Sequence, residues 1–421
     1  MSRVRSLVGP FAARLAPALV LLLAPSLLAG ACDGGGPRAL PPPTSAPEGA
    51  PLVAHEWGTF TSVLASDGRS MPGLLHEDEP PPPFVHRRFL APAGSTRAGG
   101  ELLAANVNQR METPVIYFYS DVARAVHVDV GFPTGIVTEW SPDAVAAAPA
   151  AATPPAPLAV GGGAMSWDVE LVPGLTDLPL VNDGYFDVPA RQVASTPLRH
   201  ATRPTERDRF IFYRGVANFD TPLSVRATAA GALTIANGGD EPLPAAFLLQ
   251  VDADGGSVTA LGAIAPESRA VVPTADREPM DAYLAHAAAE LAVALRATGL
   301  YDDEAQAMVD TWSRSYFRTG GVRILYVLPR AWTDALLPLR LDPTPRELVR
   351  TLVGRVEVLT VGEEQRLAGD IERAAAGGPP YEMAALGSFA EPKLRRAHEL
   401  VGTTEARSYS EALIQKAVDL P

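Results

Sequence analysis

The chain has 421 residues, 47% of them hydrophobic and 20% charged, with a formal net charge of −13. That apolar share is enough for a real core and excludes a wholly disordered chain. With 36 glycines and 41 prolines, the composition also argues against an all-helical fold.

The N-terminus reads as an export signal. Arg3, Arg5 and Arg14 form a basic n-region, Leu15 to Leu28 is apolar, and Ala29-Gly30-Ala31 supplies small residues for cleavage. The apolar stretch carries Pro17 and Pro25 and is shorter than the ~20 residues of a transmembrane helix. Cys32, the single cysteine, follows directly. One thiol cannot form an internal disulfide, and Leu28-Ala29-Gly30-Ala31-Cys32 resembles a bacterial lipobox, in which the cysteine is acylated. Acyl chains contribute ~0.8 kcal/mol per buried methylene, so two or more anchor a soluble domain stably. The sequence therefore predicts a signal peptide over 1–31 and a Gly/Pro-rich spacer over 32–51, starting at lipidated Cys32. Removing 1–31 takes away three arginines and no acid, moving the net charge from −13 to −16. Such acidity disfavours nucleic acid as a partner.

Residues 52–273 carry the pattern of β structure. Val126, Val128 and Val130 alternate with His127 and Asp129, and Trp167, Val169 and Leu171 alternate with Asp168 and Glu170. Runs at 114–119, 136–140, 210–213 and 223–228 look similar, with turn residues at Asn237-Gly238-Gly239 and Asp254-Gly255-Gly256. These features predict an antiparallel β-sandwich-like domain. From 274 to 421 the period becomes helical, and a mainly helical α+β domain is expected. Its elements are a helix with Leu291 and Leu295 on one face, a second with Met308 and Trp312, and a strand over 322–328. A short capped helix follows from Thr344-Pro345-Arg346-Glu347 to Gly354, then a strand over 356–359 and helices over 361–421. The fold class is thus α+β.

Candidate chemistry concentrates near the start of the β region. Three of the seven histidines, His55, His76 and His86, fall within 32 residues, together with Glu56 and Glu77. Imidazole and carboxylate are what Zn²⁺ and similar divalent ions accept, so the three histidines are candidate metal ligands. Glu56 and Glu77 are candidate general bases for a water activated there. The spacing matches no H-E-x-x-H signature, and Glu77 to Pro83 reads equally well as a polyproline loop. There is no G-x-S-x-G, no P-loop and no G-x-G-x-x-G.

Several longer strings have a relative. His55-Glu56-Trp57-Gly58-Thr59-Phe60-Thr61, Pro83-Phe84-Val85-His86-Arg87, and Met111-Glu112-Thr113-Pro114-Val115-Ile116-Tyr117-Phe118-Tyr119 resemble a group of exported bacterial proteins and lipoproteins without an assigned activity. Arg209 to Gly215 (RFIFYRG), Arg323 to Arg330 (RILYVLPR) and Leu352 to Glu357 (LVGRVE) belong to the same pattern. The resemblance implies a cell-envelope protein and adds Arg87 and Glu112 as candidate binding residues. Two functions follow as expectations. One is a membrane-anchored envelope lipoprotein, periplasmic or surface-facing, that acts as a binding or assembly module for an envelope polymer or a protein. The other is a metal-dependent hydrolase of an envelope polymer or exported substrate, using the His/Glu cluster at 55–86.

Overall fold

The computed structural model describes residues 50–75, 81–88, 90–91, 101–102, 107–149, 159–182, 184–272 and 275–419. The expected signal, Cys32 and most of the spacer lie outside the described residues, as do His76 and Glu77. No helix among the described residues is long and apolar enough to cross a membrane.

The fold is α+β, organised by a nine-stranded sheet. Its strands in chain order are β1 (Val53–Leu64), β2 (His86–Arg87), β3 (Gln109–Tyr119), β4 (Gly135–Ser141) and β5 (Phe210–Ala217), then β6 (Leu243–Asp252), β7 (Gly255–Ile264), β8 (Gly321–Val327) and β9 (Glu347–Val358). In space they run β7-β6-β8-β9-β1-β3-β5-β4-β2. Only β1 and β9 pair in parallel; the other neighbours are antiparallel. All twelve residues of β1 are buried, as expected of a strand covered on both faces.

One face of this sheet packs on a second sheet, which includes Gly163–Leu171, Arg124–Phe132 and Leu339–Asp342. Both Arg124–Phe132 and Gly163–Leu171 show the anticipated alternation of buried and less buried residues. Their inward side chains, Val126, Val128, Trp167 and Val169, meet Phe60, Ile116, Phe118 and Tyr213 of the large sheet in one core. The other face is covered by α1 (Met280–Ala297) and α2 (Asp302–Arg314), whose Leu291, Leu295, Met308 and Trp312 pack on Trp57, Tyr117, Phe212 and Leu325. After the short α3 (Arg330–Leu336) and β9, three helices complete the chain: α4 (Val361–Ala375), α5 (Ala390–Leu400) and α6 (Thr404–Val418), with their own apolar core. Thr360 caps α4, its side chain accepting from the Glu363 amide at 3.1 Å.

Two expectations need correction. The boundary at 273/274 does not separate two sheets, because β8 and β9 lie between β6 and β1. Apolar strands such as β8 need burial on both faces, and the covered place is the sheet centre. The helix expected between Thr344 and Gly354 is instead the first part of β9. Its β-branched residues pair along the whole length of β1, and that pairing outweighs a local capping pattern.

Candidate functional site

Alternation along β1 sends His55 and Glu56 to opposite faces. His55, fully buried on the helix side, places Nδ1 2.7 Å from Glu304 Oε2, on the first turn of α2. Tyr119 donates to the other oxygen of Glu304 at 2.9 Å, and the Tyr301 ring lies 4.4 Å from that of His55. Glu56 points into the space between the sheets. There it accepts from the Tyr213 hydroxyl and from Arg350 Nε at 2.6 Å, and Arg350 also reaches Asp334 at 2.7 Å. Burial, and then the Glu56 charge, push the Tyr213 phenol well above its ordinary range. Both clusters join chain-distant elements across the core.

His86 lies elsewhere. It sits on the edge strand β2, four strand steps from β1, and at ~4.8 Å per step that is roughly 19 Å from His55. His55, Glu56 and His86 therefore do not converge on one metal; His76 and Glu77, the other residues of the expected cluster, lie outside the described residues. His86 instead meets Asp143 and Glu206, with Nε2 3.1 Å from Glu206 Oε2 and Nδ1 3.9 Å from Asp143 Oδ1. These three could offer ligand atoms within 4.8 Å of one another. However, Arg203 forms ion pairs with both carboxylates and supplies the positive charge there. Arg87, also on β2, is exposed and in register with Glu139.

Glu112 leads to a cavity of about 410 Å³. Its floor is the helix-side face of β3, β5 and β9, contributing Arg110, Glu112, Thr113, Arg214 and Arg355. Thr311, Tyr316 and Thr319, on and just after α2, form one wall, and residues 384–389 with Lys393 form another. A bulge aims the floor residues. Trp57 faces Val115 but Thr59 faces Glu112, so β3 carries one extra residue opposite Gly58. Without it, alternation from Val115 would turn Arg110 and Glu112 into the core between the sheets. The cost is visible at Thr113, a β-branched residue held at φ +52°. Gly58 fits the same bulge, since a Cβ there would come within 2.9 Å of Pro114 Cα.

Charges alternate across this floor. Arg323 Nε lies 2.9 Å from Glu357 Oε1 and Arg355 Nε 2.7 Å from the same oxygen, while Arg110 Nε lies 2.7 Å from Glu112 Oε1. Between Arg355 and Arg110, β1 passes the small Thr61, in register with both. The long side chains therefore approach each other over it. Arg214 pairs with Glu139, and the Tyr316 hydroxyl donates to Glu112. Aromatic rings hold the guanidinium groups flat: Arg355 lies 3.9 Å from the Tyr316 centroid and Arg214 5.1 Å from that of Phe186. Burial alone would raise Glu357, but Arg323 and Arg355 hold its carboxyl down at about 2. The arrangement is a rigid, charged concavity suited to binding a polar molecule.

Sequence reading reached Glu112 but missed Arg110, Glu304, Arg350, Arg355 and Lys393. The available signal was a charge inside an otherwise apolar strand, as in Leu352 to Glu357.

No family model matches the chain, and no curated protein matches it. Among solved structures, the yeast delta-COP-I mu-homology domain aligns with 75% of this chain and 98% of that domain, at 8% identity and a TM-score of 0.26. The same domain complexed with the Dsl1 WxWxV peptide aligns over the same shares at 8% identity and a TM-score of 0.25. Superposition at that level transfers neither fold nor function.

Proposed function

We propose that this protein is an exported lipoprotein, held at the cell envelope by acylated Cys32, whose folded part is a binding module with its ligand site in the 410 Å³ cavity. The observation that carries the binding reading is the β3 bulge. It keeps a strained Thr113 and turns Arg110 and Glu112 into a concavity instead of a core. Thr113, a β-branched residue at φ +52° beside the cavity, is a point of backbone strain, and such strain clusters at functional surfaces. The anchor reading rests on Leu28 to Cys32 and the Gly/Pro-rich spacer behind it. The resemblance of the longer strings to exported bacterial proteins points the same way. For the alternative, a metal hydrolase using His55, Glu56, His76, Glu77 and His86, the separation of His55 from His86 across four strands weighs against a single site.

The two parts are tested separately. Cys32→Ser should move the protein from the membrane to the soluble fraction; unchanged membrane association would refute the anchor. For the cavity, Ala385 is exposed at the wall, so Ala385→Trp narrows the site without touching the core. A ligand found by thermal shift should lose its stabilising effect in that variant. A ligand that binds Ala385→Trp as well as wild type would place the site elsewhere.

A further inference from the structure

Resting on the cavity as the ligand site, we infer that its ligand is a phosphate monoester carried on a small hydroxylated body. Four cations, Arg110, Arg214, Arg355 and Lys393, line the cavity, with Glu112 as the carboxylate among them. This local excess of positive charge stands out in a chain whose net charge is −13. Counting the groups behind the wall, Arg323 adds one cation and Glu139, Glu357 and Glu363 add three carboxylates, so the surroundings remain net positive.

Among the described residues, two of the cations keep donors without a hydrogen-bond partner. Arg355 gives Nε and Nη2 to Glu357, but its Nη1 lies 3.9 Å from the nearest carboxylate oxygen, Glu112 Oε2. Lys393 Nζ is 4.0 Å from Glu363 Oε1, again beyond hydrogen-bond reach. Both residues line the cavity, Arg355 from its floor and Lys393 from the wall formed with residues 384–389. A guanidinium edge and an ammonium converging on one space suit a tetrahedral dianion better than a single carboxylate. Phosphate monoesters carry about −1.5 to −2 at pH 7 and accept charge-assisted bonds from both groups.

Glu112 adds the second half of the specificity. It is an acceptor beside the cations, with Tyr316 already on it, so it repels a bare anion but accepts a hydroxyl on the carrier. The volume of 410 Å³ suits a monosaccharide-sized body. The phosphate group is shared by soluble sugar phosphates and by lipid headgroups such as phosphatidic acid.

The test uses the full-length chain in detergent and isothermal titration with glucose 6-phosphate, glucose and inorganic phosphate, plus flotation with phosphatidic acid vesicles after transfer from detergent. Binding of glucose 6-phosphate, with glucose undetectable, is the expected result. Flotation specific to phosphatidic acid, whose carrier has no free hydroxyl, with no soluble ester bound, would overturn the hydroxylated-carrier half of the inference. Lys393→Gln, at a partly exposed position, should weaken either binding by roughly 10- to 100-fold. Arg355→Lys should do the same while keeping the charge beside Glu357. Tight binding of glucose, blocked by Ala385→Trp, would overturn the phosphate inference and leave the cavity reading intact. Phosphate-ester binding that Ala385→Trp and Lys393→Gln leave unchanged, or no binding of any phosphate probe, would also overturn the inference.

Discussion

Glu357→Gln probes the charge ladder that shapes the cavity. The carboxylate is buried, 2.9 Å from Arg323 Nε and 2.7 Å from Arg355 Nε. An amide of the same shape leaves two buried guanidinium groups without their shared counter-charge, and breaking such a pair costs about 3–5 kcal/mol. Linkage gives a similar size. Lowering a carboxyl from 4.5 to about 2 corresponds to about 3 kcal/mol. Because the folded pKa is depressed, this stabilisation is present above pH 4.5 and is lost as pH falls through about 2. Urea titrations of wild type and Glu357→Gln at pH 7 should therefore differ by about 3–5 kcal/mol, with the gap narrowing between pH 4.5 and 2. A loss under ~1 kcal/mol at pH 7, the size typical of an exposed ion pair, would show that the ladder is no more than surface electrostatics.

Gly58→Ala should destabilise by about 1–3 kcal/mol, since its Cβ must push against Pro114; an unchanged melting temperature would mean that the bulge adapts freely. His127 should titrate above its ordinary 6.5, first because it bonds Asp168 at 2.6 Å and then because of Asp129. Its contribution to stability is full below pH 6.5 and fades as pH rises through the folded pKa, so an NMR midpoint at or below 6.5 would contradict the pairing.

Much of the sheet was legible in the chain because each strand carries its own pattern. The strings His55–Thr61, Met111–Tyr119, Arg209–Gly215, Arg323–Arg330 and Leu352–Glu357 fall on β1, β3, β5, β8 and β9, which are adjacent in space as β8-β9-β1-β3-β5. Tyr117-Phe118-Tyr119 divides as alternation requires, Phe118 towards the second sheet and the tyrosines towards the helices. The site was less legible. Nearness in sequence grouped His55 with His86, but strand order sets them four strands apart, and alternation sends Glu56 away from His55.

The sequence by itself determined the class of structure, the strands that need two covered faces, and the helices that pack by one face. Composition and short-range period encode these through the burial of individual side chains. Only the tertiary structure decided that β9 lies beside β1, and that a one-residue bulge in β3 turns Arg110 and Glu112 towards Arg355. Arg110 and Arg355 are 245 positions apart in the chain, so no local pattern in it carries their meeting across Thr61. Strand order and register bring them together.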